Sequence, residues 1–259
     1  MAQQYSRRNL DFMLKEVLKV GELTQYPHFQ DYTPDMFDMV LDTAEEIADK
    51  IMRPAYVESD RKQPELTNGQ VKVHPAVKDY MKAMGDSGMI SATFHYEHGG
   101  QQLPLLVNAA NEFIRGAAHN SFVMFTGLTA GSAHLIYSFG SKELQEKFAD
   151  RMITAEWTGT MCLTEPQAGS SLSDVVTTAS PQADGTYKIK GQKVFISAGD
   201  HDIADNIIHL VLARIEGAPL GTKGISLFVV PKFRADDAGN YTIDRSEERR
   251  VGKECRSRW

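Results

Sequence analysis

Two short runs hold the residues best suited to chemistry: Met161-Cys162-Leu163-Thr164-Glu165-Pro166-Gln167-Ala168-Gly169-Ser170-Ser171 and, further on, Lys193-Val194-Phe195-Ile196-Ser197-Ala198-Gly199. The first leaves an apolar strand for a turn of small residues, and such turns offer backbone N–H groups and hydroxyls to a phosphate. Gly169 permits close backbone approach, and Ser170 supplies a donor without bringing a competing charge. The second run sets an aromatic ring beside a hydroxyl. Each fragment alone is commonplace, since small residues populate most turns and a lone Phe is usually core. Together, in this order, they read as a flavin site.

Two other constellations have weaker claims. His95-Tyr96-Glu97-His98 brings two imidazoles and a carboxylate within four residues, but its position before Gly99-Gly100 reads as an exposed loop, so no metal site is expected. His201-Asp202 has the composition of a general-base pair and is expected in a solvated loop beside the cofactor. Cys162 and Cys255 form no Cys-x-x-Cys spacing and no disulfide framework. Cys162, inside an apolar strand, is read as core filler.

The elements that must position these residues fall into two halves. Residues 1–32 form an N-terminal extension with one short amphipathic helix, its apolar face drawn from Leu10, Phe12, Met13, Val17 and Leu18. Residues 33–156 read as a helical domain. Thr33 and Pro34 start a helix whose stripe is Phe37, Val40, Leu41, Ala44, Ile47, Ala48 and Ile51, and Pro54 ends it. A loop is expected through about 72, then helices over about 75–84, 104–118, 121–138 and 141–152. After Glu156 the period changes to two. Strands are expected over 157–164, 173–180, 186–197, 206–215 and 224–231, with a turn at Asp184-Gly185. Residues 157–244 are thus a small β-domain. The expected fold class is α+β: an all-helical domain followed by a small antiparallel, barrel-like sheet.

The chain has 259 residues and a net charge of −6, a balance that counts against a broad nucleic-acid surface. No apolar run is read as approaching a membrane span, and Met1–Arg8 is polar; no membrane association and a cytoplasmic location are the expectations. Residues 245–259 lack any core-forming period and read as a disordered or adventitious, non-native tail.

At 161–171 and 193–199 the sequence resembles the acyl-CoA dehydrogenase family, whose flavin-binding middle domain carries a Thr-Glu-Pro-x-Ala-Gly-Ser run and a later aromatic-Ile-Thr/Ser run. The resemblance extends from about Tyr32 to Phe233. The segments 197–202 and 221–231 look most like the branch acting on 3-methylthiopropionyl-CoA. The resemblance implies FAD as cofactor, with Met161, Leu163 and Thr164 lining the isoalloxazine ring and the Thr164 hydroxyl near its N5/O4 edge. It places Gly169 and Ser170 at the pyrophosphate, Ser170 also at the acyl-CoA substrate, and Phe195, Ile196 and Ser197 at the other side of the ring. Phe195 stands where better-known members have Trp, which keeps an aromatic wall without the indole N–H.

The implied reaction is α,β-dehydrogenation of an acyl-CoA thioester, with an electron-transfer flavoprotein as acceptor and a homo-oligomer for the intact enzyme. In the family the base is a Glu of a C-terminal four-helix domain. That domain is expected to be absent here, so the chain reads as an inactive N-terminal fragment with no catalytic residue assigned. Two alternatives are a nucleic-acid-associated flavoprotein of the same fold and a non-catalytic interaction protein that docks through its helical half.

Overall fold

The computed structural model describes residues 4–235 and 241–243; the expected tail 245–259 lies outside the described residues. The N-terminal segment forms α1 (Arg7–Phe12), capped by the Ser6 hydroxyl and continued by a π-turn over Met13–Val17. Its expected apolar face is not what packs: Phe12, Met13, Val17 and Leu18 are exposed, while Leu14 is buried and Leu10 packs against the core.

Helix α2 (Pro34–Ile47) follows the predicted stripe, burying Phe37, Leu41, Ala44 and Ile47. Pro54 does not end it. A π-turn over Ala48–Met52 leads directly into α3 (Arg53–Arg61), with Pro54 in the first turn of the new segment. The π-turn sets Arg53 N on Ala48 O, and the wider i→i−5 spacing accommodates a proline at the next position. The expected loop then contains a hairpin, β1 (Glu65–Thr67) with β2 (Gln70–Lys72), before α4 (Ala76–Asp86).

The two helices expected over 104–118 and 121–138 are one element, α5 (Leu105–Phe139), broken only at His119, where φ is −165° and ψ is 90°. By length and composition α5 could cross a membrane, contrary to the sequence reading. In the fold it is the central core helix, packing on α2 and on the sheet, and it buries Asn111, Arg115 and His119. Short helices α6 (Lys142–Leu144) and α7 (Asp150–Ile153) follow, joined by a π-turn and started by the Ser141 hydroxyl on Leu144 N.

Among the described residues the main sheet has five strands: β3 (Trp157–Cys162), β4 (Thr178–Pro181), β5 (Tyr187–Lys190), β6 (Asn206–Ile215) and β7 (Ile225–Pro231). Beyond it β8 (Phe233–Ala235) pairs with β9 (Tyr241–Ile243). The sheet is mixed rather than antiparallel. β6 runs parallel to β3 over residues 206–211 and parallel to β4 at 214–215, while antiparallel β7 takes its other edge. One strand serving two successive neighbours makes the sheet curl. The Asp184-Gly185 turn between β4 and β5 is as expected, with Gly185 at φ 82°.

One core fills the helical domain around Leu41, Met52, Tyr80, Met84 and Ile114. A second joins the halves: Ala133, Ile136 and Tyr137 of α5 and Met152 of α7 pack on Trp157, Ile208 and Leu210 of the sheet. Helix and strand approach so closely that a Cβ on Gly159 would lie 2.5 Å from Met152 Cε and 2.7 Å from Ser132 Cβ. Across this seam Gly159 N donates to Thr129 Oγ1 (3.1 Å) and Ser132 Oγ to Thr160 O (3.2 Å). Strand β3, which feeds the first chemical run, is therefore fixed to the core helix.

Candidate functional site

Past Cys162 the chain reverses in a tight turn, with Glu165 N donating to Ala168 O (2.7 Å) and Ala168 N to Glu165 O (3.1 Å). Glu165 and Ala168 point inward and are buried, whereas Gly169 and Ser170 are exposed. Glu165 is the hub. Its Oε1 accepts from Lys193 Nζ (2.8 Å) and Thr177 N (3.1 Å), and its Oε2 from Val176 N (2.9 Å) and Gln167 Nε2 (2.7 Å). Lys193 is fully buried and also donates to Leu163 O (2.9 Å). Beside it Val194 N donates to Thr164 O (2.9 Å). The two runs are thus locked together by a buried ion pair and two backbone contacts.

Burial by itself raises the Glu165 carboxyl, but hydrogen bonds from Lys193, Thr177 and Val176 and the lysine charge outweigh it and hold the group well below the usual carboxylate range. A carboxylate so fully engaged is no proton acceptor for a substrate. The role of Glu165 is therefore structural. Spacing gave Lys193 no role; the available signal was a lysine followed by the apolar run Val194-Phe195-Ile196.

Of the expected cofactor contacts, Met161, Leu163 and Thr164 are half-buried at and just beyond the end of β3. A Cβ on Gly169 would meet nothing within 4 Å. The strand expected over 186–197 stops at Lys190, and Phe195–Ser197 lies in a loop. Phe195 and Ala198 adopt positive φ, 57° and 52°. Ile196 is half-buried and Ser197 exposed, while the Phe195 ring is 93% exposed. The structure joins residues 163–165 to 193–194 directly; no hydrogen bond ties Ser170 to Phe195 or Ser197. These residues fit a planar cofactor on one observation: an aromatic ring is held out of the protein, in a backbone conformation that carries strain, with nothing packed on it.

Strand β3 also takes part in a buried polar layer that the sequence did not reveal. Thr158 Oγ1 bonds His201 Nε2 (2.9 Å), and Thr160 Oγ1 bonds His209 Nδ1 (2.7 Å), with Cys162 Sγ 3.8 Å from the same nitrogen. His201 is 1% exposed, not in the solvated loop expected of it. Burial, then the Lys232 charge, pushes it down to about 4. Burial, then His201 and Lys232, pushes His209 to about 3. Both are neutral near pH 7. Burial pushes the Cys162 thiol up to about 11, which removes it as a nucleophile and supports its packing role. Among the described residues no three His, Cys, Asp or Glu side chains are grouped to hold a metal, and His98 stacks on Tyr137 at 4.5 Å.

Comparison with known proteins bears on the two domains. The family description "Acyl-CoA dehydrogenase, N-terminal domain" matches residues 34–156, and "Acyl-CoA dehydrogenase, middle domain" matches 160–255. The chain is 37% identical over 239 residues to a 3-methylmercaptopropionyl-CoA dehydrogenase of Ruegeria pomeroyi, a match covering 92% of this chain and 41% of the relative. It is 38% identical over 240 residues to a butyryl-CoA dehydrogenase of Syntrophomonas wolfei, covering 91% and 39%. It thus spans about two fifths of the length of these curated relatives. In fold it resembles an acyl-CoA dehydrogenase of Bacillus anthracis solved in complex with FAD, with a TM-score of 0.63, 23% identity, and coverage of 88% of this chain and 35% of that one. With both domain descriptions matched in order over most of its length, the chain belongs to the acyl-CoA dehydrogenase family.

Proposed function

We propose that this chain supplies the flavin-binding half of an FAD-dependent acyl-CoA dehydrogenase acting on a short acyl-CoA, of which 3-methylthiopropionyl-CoA is the preferred candidate. The observation that carries the reading is the Glu165–Lys193 lock, which sets Leu163–Thr164 beside Lys193–Val194 and next to the exposed Phe195. When bound, FAD supplies the acceptor for the β-hydride. The chain's own residues hold and orient. The Thr164 hydroxyl would donate to the cofactor, Met161 and Leu163 would offer it an apolar surface, and Phe195, Ile196 and Ser197 would help enclose it. Gly169 and Ser170 would receive the pyrophosphate, and Ser170 would also meet the thioester substrate. Hydrogen-bond donors fixed before the substrate arrives need no reorganisation during the reaction.

The α-proton requires a base, and no described residue is assigned that role, because Glu165 is committed to its ion pair. On this reading the described residues bind FAD weakly and do not by themselves turn over. A cytoplasmic location, an electron-transfer flavoprotein as acceptor and a homo-oligomer for the whole enzyme belong to the same proposal.

The test is a titration of the purified chain with FAD, followed by quenching of flavin fluorescence, alongside Phe195→Ala. Saturable binding weakened by the substitution supports the reading; no binding by the unaltered chain overturns it.

A further inference from the structure

The segment Phe195–Ser197 would have to keep an unfavourable backbone shape with its ring in water, and left-handed φ at Phe195 and Ala198 persists only where surrounding structure imposes it. Upstream, Lys193 and the Val194 N bond to Thr164 O supply one fixed end. Downstream, only Ala198 and Gly199 separate Ser197 from three consecutive side chains that each reach a different element. The Asp200 carboxylate accepts from Lys232, just beyond β7. His201 Nε2 bonds Thr158 Oγ1 on β3, and its ring lies 5.6 Å from Phe125 of α5. Asp202 Oδ1 accepts from Val73 N (3.1 Å), and its Oδ2 pairs with Lys72 Nζ (3.1 Å), both at the end of the β1–β2 hairpin in the helical half.

We propose that Asp200-His201-Asp202 is a positioning anchor that holds Phe195–Ser197 ready for the cofactor by registering it at once on the sheet and on the helical domain. This rests on the flavin reading above. The triplet does not touch the cofactor. It acts through the two-residue link, which is too short to absorb a shift of the anchor, and the peptide N–H of Gly199, bonded to Ile196 O (3.1 Å), stiffens that link further. Asp202 carries the inter-domain part. Its contact to the hairpin makes the geometry of the cofactor face depend on a helical-domain element that is otherwise remote from it in sequence.

The experiment compares the full chain with Asp202→Ala, Asp202→Asn and Lys72→Met by hydrogen exchange of backbone amides and by FAD titration. In Asp202→Ala, exchange over 194–199 rises while that over 206–211 stays at the level of the unaltered chain, which controls for folding. If the released segment is competent only about one tenth of the time, FAD binding weakens about tenfold. Asp202→Asn retains an acceptor for Val73 N and recovers most of the affinity; Lys72→Met, which removes only the ion pair, gives a smaller rise in exchange over 194–199, and if Asp202→Ala does not fold, that rise supports the anchor and its absence overturns it. Unchanged exchange over 194–199 overturns the anchor, and so does faster exchange with unaltered FAD affinity. Failure of the unaltered chain to bind FAD instead overturns the flavin reading, and the exchange arm still judges whether 200–202 holds the segment.

Discussion

Breaking the Glu165–Lys193 pair is the most direct way to test how the candidate site is held together. Both side chains are essentially out of water, at 1% and 0% exposure. Removing one charge leaves the other buried and unpaired, which costs about 3–5 kcal/mol. The two sides differ. In Lys193→Met, Glu165 keeps the donors Val176 N, Thr177 N and Gln167 Nε2, so the loss should fall toward about 3 kcal/mol. In Glu165→Met, Lys193 keeps the Leu163 carbonyl while Val176 N and Thr177 N lose their acceptor, and the loss should approach about 5 kcal/mol. The double variant leaves no unpaired charge, and its cost should fall short of the sum of the two by roughly 1–3 kcal/mol. Urea unfolding followed by circular dichroism at pH 7.5 measures all four proteins. Two single variants each costing under about 1 kcal/mol and adding linearly would refute the reasoning.

Three further outcomes follow from the same geometry. His201 and His209 stay neutral in the fold down to about 4 and about 3, whereas an unfolded histidine takes its proton near 6.5. Their contribution is therefore fully present above pH 6.5 and is lost as pH falls from there toward 4, at up to about 1.4 kcal/mol per pH unit for each ring; urea midpoints that stay level between pH 7 and 5 would contradict this. Gly159→Ala drives a methyl into Met152 and Ser132 at the seam between the halves, and should cost about 1–3 kcal/mol, read as a lowered thermal midpoint. Phe195→Ala removes a ring that packs on nothing, so stability should move by less than about 0.5 kcal/mol while FAD affinity drops; a large loss of stability would mean the ring has a packing partner.

The legible parts of the sequence were those governed by local pattern. The α2 stripe, the Asp-Gly turn and the change of period at Trp157 all appear where periodicity and turn chemistry put them. Pro54 misled because a proline that breaks a helix and one that begins the next differ only in the geometry of the preceding turn. Alternation carried the predicted strand on to Ser197, since left-handed φ at a residue such as Phe195 has no signature in residue type. The parallel pairings of β6 and the burial of His201 depend on residues distant in the chain, which no local window contains. The two chemical runs were visible; the Lys193 and Glu165 contact that joins them needed the fold.

The register of β3 on β6 also sets an order of events during synthesis. Trp157 faces Asn206 and Cys162 faces Val211, so the strand that carries the first chemical run has no ladder partner on this edge until the ribosome has made a further stretch that includes β4, β5 and the Phe195 loop. The helical half's core draws on Ile203 from that stretch and otherwise on residues before Trp157. Because domains emerge and fold from the N-terminus onward and distant pairings close late, nascent chains halted before Asn206 should already protect α2 and α5 from protease while the 157–200 region is still cut. The cofactor face would then be completed only when β6 arrives, so any FAD captured on the ribosome must wait for that strand.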